Sequence, residues 1–113
     1  MLIITNEVSG IRVIACEGAM TLGSGADELG DAFTRLLSES RGGIVLDLTR
    51  LTYLDSAGVG SVVSCSKQAS ASGTVLKVAL ARSGPVRRVF EVTQLERGFE
   101  IFDDAEAAAA SFV

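Results

Sequence analysis

The chain has no histidine and no tryptophan, and only one proline, two cysteines and two lysines in its 113 residues. Each shortage closes a route. Without histidine there is no Ser-His-Asp triad and no imidazole-built metal site. Cys16 and Cys65 alone cannot complete a thiolate zinc site, and one pair is no disulfide framework. They fall in a strand-like and a helix-like run and are read as reduced thiols in or near the core. Lys67 and Lys77 close no glycine-rich turn, so there is no P-loop, and Gly18, Gly23 and Gly25 are wrongly spaced for a dinucleotide fingerprint. Ten basic residues against fourteen acidic leave a net charge of −4, which argues against direct nucleic-acid binding. No run approaches membrane-spanning length, and residues 1–7 lack the basic start of a secretory signal. The expectation is a cytoplasmic protein, without membrane insertion, cofactor or metal, and not an enzyme.

What is present is an ordinary globular balance, 48% hydrophobic and 21% charged. The length suits one domain over 1–113. β-Branched runs at 1–7 and 11–17, parted by Ser9-Gly10, predict a hairpin. Residues 18–25 read as a glycine-bearing loop, with Ser24 capping the next helix and Asp27 three residues on. Ala26, Leu29, Phe33, Leu36 and Leu37 recur at helical spacing, while Asp27, Glu28, Asp31, Arg35 and Glu39 fall off that stripe. Arg41-Gly42-Gly43 stops the helix. Residues 44–48 predict a strand covered on both faces, 49–54 a short loop, and 58–70 a second helix. Then come a turn at Ser72-Gly73, a strand over 75–81, a short helix from Pro85, a strand over 99–102 and a terminal helix over 103–111. In the Pro85 helix, Val86, Val89 and Phe90 face in while Arg87 and Arg88 face out. Phe33, Phe90, Phe99 and Phe102 are assigned to the core and Tyr53 to strand-edge packing. The order β-β-α-β-α-β-α-β-α predicts an α/β fold. Its mixed sheet combines an N-terminal hairpin with alternating strands and helices.

The junction Asp55-Ser56-Ala57-Gly58-Val59-Gly60 concentrates the chemistry. A hydroxyl stands where the second helix begins, so Ser56 reads as its N-cap. Gly58 and Gly60 leave room for another molecule to approach the backbone, and a helix N-terminus tolerates a phosphate. Ser56 is therefore a candidate for regulatory phosphorylation. Asp47 and Asp55 flank the strand exit. Mg²⁺ between them is the alternative to local hydrogen bonding, and two ligands are too few to favour it. Asp103-Asp104 reads as a helix start.

That hexapeptide, after the apolar strand Val45-Leu46-Asp47-Leu48 and the lead-in Leu51-Thr52-Tyr53-Leu54, resembles the STAS domain of bacterial anti-sigma factor antagonists. Ser83-Gly84-Pro85-Val86-Arg87-Arg88-Val89-Phe90 is similar to the family's later helix start, and Gly18-Ala19-Met20-Thr21 falls where the family often shows Gly-Glu-Leu-Asp. The resemblance covers essentially the whole chain. It implies that Ser56 is phosphorylated by an anti-sigma factor that is also a serine kinase. It further implies that the unmodified chain binds that partner and frees a sigma factor, and that a phosphatase reverses the modification. ATP then belongs to the kinase. The implied partner surface comprises Thr21, Asp55, Ser56, Ala57, Gly58, Val59 and Gly60. Thr21 stands where an acid is common, the loop after Met20 is slightly longer, and Ala57 replaces a frequent serine, which leaves Ser56 as the hexapeptide's one hydroxyl. The resemblance also admits a non-phosphorylated scaffold subunit of a transporter or sensor complex, and a nucleotide-binding module.

Overall fold

The computed structural model describes residues 1–39 and 42–112. Strands β1 (Leu2–Val8) and β2 (Ile11–Met20) form the hairpin. Ser9 and Gly10 turn it with φ of 50° and 82°, the paired positive values of the tight turn that matches strand twist. Then follow α1 (Ala26–Glu39), β3 (Gly43–Leu54), α2 (Ser56–Ser72), β4 (Val75–Ala79) and α3 (Pro85–Val92). A single 3₁₀ turn (Leu95–Gly98) leads into β5 (Glu100–Phe102) and α4 (Ala105–Ala110). Apart from that turn, the element order is the predicted one. The sheet order is β1-β2-β3-β4-β5. Only β1 runs antiparallel to its neighbour; β2 to β5 are parallel.

Sequential parallel strands joined by right-handed crossovers place every crossover helix on the same face. The larger core lies there, with Ile14, Leu46, Leu48 and Val78 from the strands against Leu29, Phe33, Val62 and Phe90 from the helices. Helix α4 covers the opposite face, packing Ala105, Ala108 and Ala109 on Val13 and Val45. Lys77 points to that side and is buried. Its Nζ donates to the Ser111 carbonyl at 3.1 Å and the Ser111 hydroxyl at 2.7 Å, and pairs with Glu100 at 3.2 Å. It also stands 4.4 Å from the Phe112 ring centroid. The cation is thus consumed in latching the end of α4. Cys16 and Cys65 are free and buried, and burial pushes both thiols up to about 12. Phe33 and Phe90 are fully buried, whereas Phe99 and Phe102 are half-buried at the margins of the two cores. No helix among the described residues is long and apolar enough to cross a membrane.

Several boundaries differ from the sequence reading, for identifiable reasons. β2 continues to Met20 and β3 to Leu54, so residues 18–20 and 49–54 are strand and not loop. Two register shifts separate Asp47 from Arg50 and Leu51 from Tyr53, each giving β3 an extra residue relative to β2. Such bulges break the two-residue alternation by which a strand is recognised. The first is held by Asp47, whose carboxylate accepts from the Thr49 N–H at 3.0 Å and the Thr49 hydroxyl at 2.7 Å. Helix α1 is not capped by Ser24 and Asp27. Gly25 occupies the cap, its carbonyl accepting from Leu29, and the Glu28 carboxylate reaches back to the Gly25 N–H. β4 stops at Ala79, and α4 begins at Ala105 under an Asp104 cap. Asp103 instead pairs with Arg82, whose guanidinium holds that carboxyl below the usual range. Arg41, expected to help stop α1, lies outside the described residues.

Candidate functional site

The site forms where β3 ends. Leu54 is its last residue, pairs with Met20 at the end of β2, and is buried. One residue later α2 begins. Its N-cap is Asp55 and not Ser56. An extended Asp55 backbone lets one carboxylate oxygen accept from the Gly58 N–H at 2.9 Å. The other accepts from the Leu22 N–H at 3.0 Å, across 33 residues of sequence. The Asp55 N–H in turn donates to the Met20 carbonyl at 3.2 Å. The Leu22 bond straps the loop 21–25 to the start of α2, the Met20 bond ties that start to the end of β2, and the Gly58 bond closes the helix's first turn. The donors from Gly58 and then Leu22 hold the Asp55 carboxyl below the usual carboxylate range.

With Asp55 acting as the cap, Ser56 is released from that duty. It becomes the first helical residue and its side chain is exposed. Gly58 also has a different role from the expected one. A Cβ there would stand 2.6 Å from the Met20 carbonyl oxygen and 2.8 Å from the Leu54 Cβ. The close approach it permits is therefore between α2 and the chain's own strand ends. Gly60, exposed and with nothing within 4 Å of such a Cβ, keeps the open surface expected of it. Ala57 and Val59 are half-buried on either side. Thr21 is half-buried in the strapped loop, where its backbone exchanges hydrogen bonds with Ser24 at 2.8 and 3.0 Å. The structure thus brings all seven candidate residues to one end of the sheet. It does not bring Asp47 into a cation site with Asp55: the Asp47 carboxylate accepts from Thr49 in its own strand, and the Asp55 carboxylate accepts from Gly58 and Leu22. No group of three His, Cys, Asp or Glu among the described residues could hold a metal ion.

Two clefts meet at this helix start. One, about 580 Å³, runs between α1 and α2 and is walled by Asp27, Asp31, Thr34, Ser61, Ser64 and Gln68, with Leu22 and Ala57 also lining it. The other, about 540 Å³, separates the β3–α2 junction from α3 and is walled largely by Tyr53, Leu54, Val59, Pro85, Val89 and Val92, with Ser56 and Arg88 also lining it. Three apolar side chains of this region are unusually open to solvent: Leu22 at 80%, Val92 at 72% and Tyr53 at 49%. Sequence reasoning overlooked Leu22 and Val92 and gave Tyr53 a packing role. The signal was available, since Leu22 is an aliphatic residue in a glycine-rich loop and Val92 lies off the buried Val86–Phe90 stripe of α3.

The comparisons with known proteins agree with this architecture. The family model described as the STAS domain matches residues 3–108. The Bordetella bronchiseptica protein BtrV, named as a candidate anti-sigma factor antagonist, is 31% identical over 108 residues, which cover 95% of this chain and 90% of BtrV. Among solved structures, an anti-sigma factor antagonist from Mycobacterium paratuberculosis superposes with a TM-score of 0.85 at 18% identity, covering 98% of this chain and 92% of that one. The Bacillus cell fate determinant SpoIIAA in its phosphorylated form gives 0.70 at 18% identity, with 97% and 99% covered. These two structures share the fold. The matched family model and the BtrV relationship go further: the chain is a STAS domain and belongs to the family of anti-sigma factor antagonists.

Proposed function

We propose that this protein is a non-enzymatic cytoplasmic switch that binds an anti-sigma factor with serine-kinase activity and is released from it by phosphorylation of Ser56. The observation that carries this reading is the division of labour at the start of α2. Asp55 caps the helix and ties down the neighbouring loop, which leaves the Ser56 hydroxyl exposed and without a structural task. Around it lie solvent-open apolar side chains of the kind that a protein partner covers. Thr21, Asp55, Ala57, Gly58, Val59 and Gly60 form the rest of the proposed contact surface.

In the modification step the Ser56 Oγ attacks the γ-phosphorus of ATP held by the kinase. The bond to ADP breaks, and the hydroxyl proton passes to a base of the kinase. The product carries about −1.5 to −2 added charges at neutral pH, at the centre of the surface that the partner must desolvate. A phosphatase would restore the neutral hydroxyl. Incubation with the kinase encoded nearby and Mg-ATP, followed by intact-mass measurement, tests the assignment. Wild type should gain one phosphoryl group and Ser56→Ala none. A phosphoryl group on Ser56→Ala as readily as on wild type would move the site elsewhere, to Thr21 or Ser24 first.

A further inference from the structure

Arg87 and Arg88 are neighbours in sequence, and the structure separates their roles. Arg87 is half-buried, pairs with Glu91 at 3.9 Å, and does not line the cleft beside Ser56. Arg88 is exposed. The ion pairs among the described residues use Arg50, Lys77, Arg82 and Arg87, so Arg88 is in none of them. Glu91, three residues on and the nearest acid along its helix, is taken by Arg87. Across the cleft, Asp55 spends both carboxylate oxygens on backbone N–H groups. Arg88, outside every ion pair among the described residues, thus lines from α3 an otherwise mostly apolar cleft that Ser56 lines from the start of α2.

We propose that Arg88 receives the phosphate of phosphorylated Ser56, forming an ion pair that spans the cleft between α2 and α3. The inference rests on the reading of Ser56 as the modified residue and adds how the modified state is held. A guanidinium presents forked donors that match phosphate oxygens in pairs. No carboxylate has to be displaced for it to do so. The resulting bridge passes over the groove formed by Tyr53, Val89 and Val92. Phosphorylation therefore adds charge to the partner surface and also closes the cleft next to it. Asp55, adjacent to the phosphate, opposes the second ionisation, and Arg88 favours it.

The test installs phosphoserine at position 56 during translation, so that no kinase is needed, and follows the phosphate by ³¹P NMR across pH. An ordinary phosphoserine loses its second proton near about pH 6. An opposite charge close by lowers such a value by about one unit or more. Arg88→Gln should raise the phosphate pKa by roughly that amount, and Arg87→Gln should leave it where it is. Salt should shrink the Arg88 effect, because the pair is exposed. Identical titrations for the parent and Arg88→Gln phosphoproteins would overturn the proposal, as would an equal shift in Arg87→Gln. Binding of the anti-sigma partner to the parent phosphoprotein, measured alongside, keeps the two readings apart. Lost affinity with an unmoved titration rejects the Arg88 bridge and leaves the switch standing. Full affinity rejects the switch, while the titration still decides the bridge.

Discussion

Helices α2 and α4 both begin under an aspartate that accepts from the N–H three residues on, at 2.9 Å from Gly58 and 2.7 Å from Ala107. The likeness ends there. The Asp104 carboxylate bonds within its own turn, while the second oxygen of Asp55 reaches Leu22 in another loop. The third helical residue is an exposed alanine in α4 and a buried glycine wedged against Met20 and Leu54 in α2. The same local capping device serves two purposes. In α4 it only starts a helix. In α2 it also ties the 21–25 loop and the end of β2 to the helix start and leaves the first helical side chain exposed.

The sharpest way to break this comparison is at the third helical position. Gly58→Ala forces a methyl group against a backbone carbonyl that cannot rotate away. It should destabilise the fold by about 1–3 kcal/mol, as overpacking does. At the matching place in α4, Ala107→Gly should cost only about 0.5–1 kcal/mol, through backbone entropy. Urea unfolding of both variants checks the pair, and equal losses would mean that the wedge at Gly58 is unimportant.

Next in size are the caps themselves. Asp104→Ala should cost about 1 kcal/mol, the usual loss for a cap. Asp55→Ala should cost more, because the Leu22 N–H also loses its acceptor, and it should speed amide exchange at Leu22. The effect carries a pH signature. Because the folded-state pKa of Asp55 lies below its unfolded value, the carboxylate's contribution is present above the ordinary carboxylate range, about 3.9. It is lost as pH falls through the lower folded value. The stability gap between wild type and Asp55→Asn should therefore narrow in acid. A gap independent of pH would contradict the strap.

The smallest effect has the opposite sign. Gly60→Ala meets open space inside a helix and should stabilise by about 0.5–1 kcal/mol. Thermal unfolding of this variant beside Gly58→Ala would show that the two glycines of one hexapeptide answer to different constraints.

These contrasts mark how far the sequence could be read. The element order was legible because periodicity along α1 and the apolar runs of β3 and β4 are strong local signals. The hexapeptide pointed to the start of α2, where Ser56 stands exposed. The extent of β3 was not, because two bulges hide its alternation after Asp47. Nor was the cap of α2, since Asp55 and Ser56 are both favourable capping residues and the choice between them is made by Leu22, 33 residues upstream. The role of Gly58 was misread for the same reason: its close neighbour is a carbonyl on another strand. Distinguishing Arg87 from Arg88 likewise required knowing which helix face meets the cleft.

The central claim is that a charge at residue 56 is read by a partner and scarcely felt by the fold. Calorimetry with the anti-sigma factor encoded nearby tests it most directly, using wild type, Ser56→Ala, Ser56→Asp and the chain with phosphoserine at 56. A charge taken into an interface must shed its hydration, which is costly even where the charge is paired within the chain. Wild type and Ser56→Ala should therefore bind alike, Ser56→Asp more than about tenfold more weakly, and the phosphoprotein more weakly still, with all four unfolding at similar temperatures. Equal affinity for all four would contradict the switch.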